Sequence, residues 1–234
     1  MPQLAYVPLE RLKVRPPVDR TKYIVERCRG RKVLDLGCYD ETAAVKFGTR
    51  HWLHGEISKV AYSVTGVDNS EQIPEVGLQT GQNSRILRGD VTRLEEFARS
   101  CEVETIVAGE LLEHLAHPLE FLTDLHALFP GRELVLSTPN ATSLTNATLA
   151  LAQRESSHCD HLQVFSYKTL NSLCLRAGFA DFEIIPYHVR FTELALRSSG
   201  LQRTLVAGAE QLVNFGERLF PLLSGGLILY VSHI

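Results

Sequence analysis

No apolar stretch in this chain approaches the roughly eighteen residues that a membrane span needs, and its Met1-Pro2-Gln3 start lacks the charged-then-apolar pattern of a secretory leader. A cytoplasmic protein is the expectation. Cysteine is sparse and odd in number. Cys28, Cys38, Cys101, Cys159 and Cys174 are widely scattered, which argues against a disulfide framework and against paired CxxC zinc knuckles. A basic excess is missing too: the formal charge is −3, whereas a nucleic-acid binder is more often basic overall, so nucleic acid is not the expected partner. That charge is unevenly spread, because residues 1–32 hold nine Lys/Arg against three Asp/Glu, leaving −9 for the remainder. Arg11, Lys13, Arg15, Arg20 and Lys22 read either as a solvated arm or as contacts for an anionic substrate such as a phosphate.

What is present is an alternation of short apolar runs with helical patterns. At 234 residues and 44% hydrophobic, the chain can build one substantial core. Residues 1–30 read as a basic arm and a helix from Val18 to Cys28. Strands are predicted at Lys32 to Leu36, Ser63 to Val67, Arg85 to Arg88, Thr105 to Ala108, Glu133 to Ser137, Phe182 to Ile185 and Gly226 to Val231, the last two as antiparallel neighbours. Helices are predicted over Thr42 to Ala61, Leu111 to Phe129 and Ser166 to Ala177, with Gly178 as the stop. Gly77 to Ser84 reads as a connection, and a polar stretch runs up to His161. Residues 190–224 form a helical insert before the last strand, its Leu201, Leu205, Ala209, Leu212, Phe215 and Leu219 marking an apolar face. That face is expected to pack on the sheet, with an active-site cover, a homodimer seam or a membrane contact as alternatives.

Two strands end in carboxylates, at Asp35 and Asp68. Ligands of open parallel sheets bind at the carboxyl ends of the strands, and an acid at the tip of the second strand can accept both hydroxyls of a ribose. A nucleoside-containing cofactor follows. A nicotinamide enzyme does not, because Gly37-Cys38-Tyr39-Asp40-Glu41 lacks the glycine-rich turn that a pyrophosphate needs and adds acids that would repel it.

Six pieces stand in order, each near a strand end: Val33-Leu34-Asp35-Leu36-Gly37-Cys38, Gly66-Val67-Asp68, Gly89-Asp90-Val91, Gly109-Glu110-Leu111-Leu112-Glu113-His114-Leu115, Ser137-Thr138-Pro139-Asn140 and Asp160-His161-Leu162-Gln163-Val164-Phe165-Ser166. Over Arg31 to Phe179 the chain resembles class I S-adenosylmethionine-dependent methyltransferases, especially the small-molecule group that includes ubiquinone-biosynthesis O-methyltransferases and glycan-cluster enzymes. The resemblance implies an α/β, Rossmann-like, seven-stranded, mostly parallel sheet with helices on both faces and an antiparallel last strand, here a single methyltransferase domain over 1–234. It implies S-adenosyl-L-methionine as cofactor. Asp35 and Gly37 would face its methionine end, with Cys38 and Tyr39 beside them. Asp68 and Asn69 would take the ribose, Asp90 and Val91 the adenine, and Ala108, Gly109 and Glu110 the surroundings of the sulfur. One departure stands out. The family's first loop usually continues Gly-Cys-Gly-x-Gly, and here Tyr39 and Glu41 replace the glycines.

Methyl transfer is an in-line displacement, so placement of the nucleophile supplies much of the rate. A hydroxyl acceptor also benefits from a base, for which Glu113, His114, His117 and His161 are candidates. His158-Cys159-Asp160-His161 offers four ligand types, but four consecutive residues do not readily converge on one ion without distant partners, so no metal is expected. The acceptor is expected to be a small molecule or glycan-like group methylated at oxygen, since the Asn/Asp-Pro-Pro-Tyr/Phe motif of base-amino methylating relatives is absent. The rivals are a non-catalytic binding or scaffold protein that retains the fold and, more remotely, an RNA methyltransferase using the basic arm.

Overall fold

The computed structural model describes residues 4–39, 43–98 and 102–234. Eight strands form one sheet: β1 (Lys32–Leu36), β2 (Ser63–Asp68), β3 (Leu78–Gly81), β4 (Ser84–Arg88), β5 (Thr105–Gly109), β6 (Glu133–Pro139), β7 (Glu183–Tyr187) and β8 (Gly226–Val231). Their spatial order is β3-β4-β2-β1-β5-β6-β8-β7. β4, β2, β1, β5 and β6 are mutually parallel, while β8 runs antiparallel to both β6 and β7. The strand order reverses between β1 and β5, and the crevice at that switch point is where an open α/β sheet binds its ligand.

The helices are α1 (Arg20–Arg27), α2 (Ala43–Lys46), α3 (Leu53–Ser58), α4 (Glu95–Ala98), α5 (Pro118–Leu128), α6 (Leu144–Leu151), α7 (Tyr167–Arg176), α8 (Thr192–Arg197) and α9 (Gly200–Leu219). Alternate strand residues feed two cores, as a sheet covered on both faces requires. Leu34, Leu36, Ile106, Ala108, Leu134 and Leu136 pack with Phe121, Leu122, Leu125 and Leu170 of α5 and α7. Val33, Val64, Val107 and Val135 pack on the other side with Ile24 of α1 and Ile57 of α3. Ser166 caps α7 through Thr169 N–H, and Gly178 leaves it at φ 95°.

Five expectations need correction. The sheet has eight strands, because the stretch read as a connection folds back as β3, antiparallel to β4. The helix expected over Thr42 to Ala61 is two short ones within the described residues. Gly48 turns at φ 73°, and Trp52 swings inward to donate its indole N–H to the Cys38 carbonyl at 3.2 Å. The helix expected from Leu111 starts at Pro118, whose ring disfavours helical geometry at His117, so Leu112–His114 form a separate 3-10 turn. The polar stretch contains α6, capped by Ser143. Finally, the apolar face of α9 does not pack on the sheet: Leu201, Leu205, Leu212, Phe215 and Leu219 are all at least 60% exposed. Its inward face carries Glu217, which is fully buried against His188 at 2.8 Å, and Glu210, which accepts from Arg190 and from Phe191 N–H.

Gly37 closes β1 at φ 68°, and a Cβ there would sit 2.9 Å from Leu111 Cδ1. Gly30 has the same backbone sign at φ 69° but open space around it. Gly37→Ala should therefore destabilise the fold by about 2–4 kcal/mol, strain plus overpacking, against about 1–2 for Gly30→Ala from strain alone. Paired denaturant titrations check this, and equal losses would show that the Leu111 contact relaxes freely.

Candidate active site

The residues expected to hold the cofactor stand at the carboxyl ends of the parallel strands: Asp35 to Tyr39 at β1, Asp68 and Asn69 at β2, Asp90 and Val91 after β4, and Ala108 to Glu110 at β5. Asp68 ends β2 only 8% exposed. Its Oδ2 accepts Tyr39 N–H at 2.9 Å and its Oδ1 accepts Ser70 N–H at 2.9 Å. These two bonds fix the direction of the carboxylate at the tip of β2. Asn69 beside it is exposed. Cys38 packs over β2, where a Cβ on Gly66 would meet its sulfur at 2.6 Å. Of the non-glycine first loop, Asp40 and Glu41 lie outside the described residues.

Two assigned residues have structural tasks. Asp35 is almost fully buried, and its Oδ2 accepts His54 Nδ1–H at 2.9 Å. His54 Nε2 lies 2.8 Å from Ser84 Oγ and 3.2 Å from Thr80 Oγ1, so this chain of contacts locks α3 onto β1, β3 and β4. Asp90 uses Oδ1 to accept both Thr92 N–H and Thr92 O–H, which hold its carboxyl below the ordinary carboxylate range. Val91 is buried in the larger core.

The β5 end is the most heavily bonded of these strand ends. Ala108 is fully buried, and Gly109 admits Arg20 Nη2 and Leu53 Cδ2 to within 2.8 Å of where a Cβ would stand. Glu110 then takes φ 57°, unusual for a residue with a side chain. Its N–H donates to Ser137 O at 2.9 Å. Its Oε1 accepts Tyr187 O–H at 2.7 Å and Ser137 O–H at 3.0 Å, and lies 3.5 Å from Arg20 Nε. Burial, then Glu110, pushes the Tyr187 phenol well up and keeps it a donor. Burial alone would lower Arg20, but Glu110 foremost among its anionic neighbours outweighs it. The arm thus divides: Arg11, Lys13, Arg15 and Lys22 are exposed, whereas Arg20 turns into the site.

The 3-10 turn after Glu110 carries the base candidates. Leu162 and Gln163 donate their backbone N–H groups to Glu113 O at 2.9 and 3.2 Å, and Gln163 Nε2 donates to Leu115 O at 2.8 Å. That stitching lays the His158–His161 loop over the turn. The His114 and His161 rings stand edge to face with centroids 4.7 Å apart, and His158 is the next ring out at 5.9 Å from His161. Burial, then His114, pushes His161 down. Glu113 is fully buried, and neither carboxyl oxygen meets a donor in hydrogen-bond geometry, although the Thr138 hydroxyl, itself without a partner, is close enough to oppose the rise in its pKa. His117 is exposed at the cap of α5, apart from this group.

Sequence reasoning missed His54 and Tyr187 and misread Arg20. Only the position of Arg20 directly after the Asp19 cap, one turn before buried Ile24, hinted that it faces inward. A recess lined by Tyr23, Arg27 and Arg31 lies at the other end of the strands, before β1.

Burial, with Glu110 adding to it, pushes the Glu113 carboxyl up to about 8 from 4.5. The folded protein holds that proton more tightly than the unfolded chain does. Its contribution to stability is complete below about pH 4.5 and drains away as pH rises toward 8. In metal-free buffer, the stability of Glu113→Gln relative to the parent should rise by on the order of 2 kcal/mol or more between pH 5 and 8. Parallel melting profiles across that range would show that another group titrates.

A family model described as a methyltransferase domain matches residues 10–184. Among solved structures, the chain aligns with a SAM-dependent methyltransferase from Archaeoglobus fulgidus at TM-score 0.53 and 19% identity, over 91% of each chain. It aligns with a putative methyltransferase from Bacillus halodurans at TM-score 0.52 and 11% identity, over 92% of this chain and 99% of that one. It also aligns with the small RNA methyltransferase HEN1 at TM-score 0.58 and 15% identity, over 92% of this chain but 25% of that one. No curated protein matches in sequence. Identities this low establish the shared fold. Among the described residues, no helix is long and apolar enough to cross a membrane.

Proposed function

The chain belongs to the methyltransferase domain family, S-adenosylmethionine-dependent enzymes, and on that premise we propose that it methylates a hydroxyl of a small-molecule or glycan-like acceptor in the cytoplasm. The observation that carries this reading is the pairing of an aimed Asp68 carboxylate at the β2 tip with imidazoles of His114 and His161 beyond the β5 tip. Asp68 would take the donor's ribose, Gly37 to Tyr39 would flank its methionine end, and Glu110 would border the sulfur. Arg20, Ser137 and Tyr187 would act as positioning residues by fixing Glu110. When bound, the cofactor supplies an electrophilic methyl group, and the chain's part is to place the acceptor oxygen in line with it. Four cysteines among the described residues are free thiols, in keeping with a reducing compartment. The net charge of −3 speaks against a polyanionic acceptor.

Calorimetric titration with S-adenosylhomocysteine tests the donor half. One-site binding should weaken at least tenfold in Asp68→Ala, each tenfold being about 1.4 kcal/mol. No binding by the parent chain would restore the non-catalytic reading.

The outward stripe of α9 suits a second copy of this chain. Leu201, Leu205, Gly208, Leu212, Phe215 and Leu219 recur at alternating spacings of four and three. Antiparallel pairing about Glu210 sets Leu201 against Leu219, Leu205 against Phe215, and Leu212 over the open Cα of Gly208. This is the self-complementarity a two-fold interface requires. The stripe holds no charge, and Arg203, Glu210, Glu217 and Arg218 balance on the rest of α9, so the helix lacks the cationic face that anionic lipid would attract. Light scattering at tens of micromolar should show a dimer for the parent and a monomer for Leu212→Glu. A monomeric parent removes this seam.

A further inference from the structure

The tetrapeptide His158 to His161 cannot by itself surround an ion, but the fold supplies the distant partners it lacked. One ligand atom from each of Glu113, His114 and His161 lies within 4.8 Å of the others. Two ligands each ~2.1 Å from a cation sit about 3–3.4 Å apart at octahedral or tetrahedral angles, so the triad closes on one ion with a contraction of no more than ~1–2 Å. Independently of that spacing, Glu113 is fully buried with both oxygens unpartnered. A buried carboxylate without a hydrogen bond is costly, and a cation is the partner that offsets the cost.

We propose that Glu113, His114 and His161 bind one divalent transition-metal cation, whose open positions receive the hydroxyl of the methyl acceptor. Two imidazoles and one carboxylate form the donor set that suits manganese, iron, cobalt or zinc, whereas magnesium and calcium favour oxygen ligands. The triad joins two segments, the 3-10 turn and the loop that Leu162 and Gln163 fasten to it, and three protein ligands leave the remaining positions of a four- to six-coordinate cation for solvent or substrate. The other two candidate groups are weaker. In the group of Asp35, Cys38 and His54, both imidazole nitrogens are already engaged. His158, Cys159 and Asp160 lie exposed on a single turn, bonded to one another.

The inference deepens the methyl-transfer reading and rests on it for the identity of the acceptor. A cation at this point lowers the pKa of a bound hydroxyl, so that the proton leaves to solvent and an alkoxide remains. The alkoxide oxygen forms a bond to the methyl carbon as the carbon–sulfur bond breaks. The bonding pair stays on sulfur, and the sulfonium becomes a neutral thioether. No side-chain base is then needed, and the histidines act as ligands.

The test separates metal from donor. Purified, chelator-treated protein is titrated with manganese, cobalt and zinc ions in the absence of donor, and with S-adenosylhomocysteine in the absence of metal. The parent should bind one equivalent of cation, with visible d–d bands for cobalt. His161→Ala, a change in a half-exposed loop that leaves the core intact, should weaken cation binding at least tenfold. Glu113→Gln should do the same, and S-adenosylhomocysteine binding should persist in both. No stoichiometric cation on a parent that binds S-adenosylhomocysteine overturns the metal site and leaves methyl transfer standing. Cation binding that His161→Ala does not weaken also overturns it, by placing the ion elsewhere. Failure to bind S-adenosylhomocysteine with cation binding intact strikes the methyl-transfer reading alone.

Discussion

The carboxylate of Glu110 is the contact on which the rest of the site depends. It stands at a left-handed backbone position, φ 57°, which disfavours any side chain by about 1–2 kcal/mol. The position persists because β6, β7 and α1 all bond to this one residue: Ser137 through backbone and hydroxyl, Tyr187 through its phenol, Arg20 through its guanidinium. Such over-determination is how strained geometry survives. The sharp exit from β5 throws the next residues into a 3-10 turn instead of an immediate helix, and that turn buries Glu113 and presents His114.

A second constraint comes from covering both faces of a parallel sheet. Asp35 falls on the α3 side of β1, where its neighbours Val33 and Val64 are core, and a carboxylate there needs a buried partner. His54 is that partner, and Ser84 and Thr80 continue the contacts outward to the edge hairpin. The same device recurs beneath α9, where Glu217 is buried against His188. In both cases a polar pair inside fixes the register of a helix. For α9 the consequence is unusual: with carboxylates facing the body, the leucines face out.

The strand framework was legible because buried strands write themselves as short apolar runs: β1, β2 and β5 run into glycine or acid, and parallel β6 and antiparallel β8 also stand where such runs are. β3 was not, since Gln79 and Gly81 give an edge strand no apolar signature. The break of the α5 pattern at Pro118 was written in the chain, but six leucines in helical register outvoted it. The division of the basic arm was invisible, because the surface reading and the anion-binding reading share a composition while one arginine turns inward.

What the sequence by itself determined is the order of motifs, the placing of Asp35, Asp68 and Glu110 at strand ends, and with them the methyltransferase family. Those follow from local rules, the period of a strand and the turn that ends it. Only the tertiary structure decided which polar groups meet: that His54 claims Asp35, that Arg20 and Tyr187 claim Glu110, and that His161, 48 residues along the chain from Glu113, closes over it. Contacts between residues far apart in sequence depend on how elements cross and dock. Composition, periodicity and spacing carry no record of that.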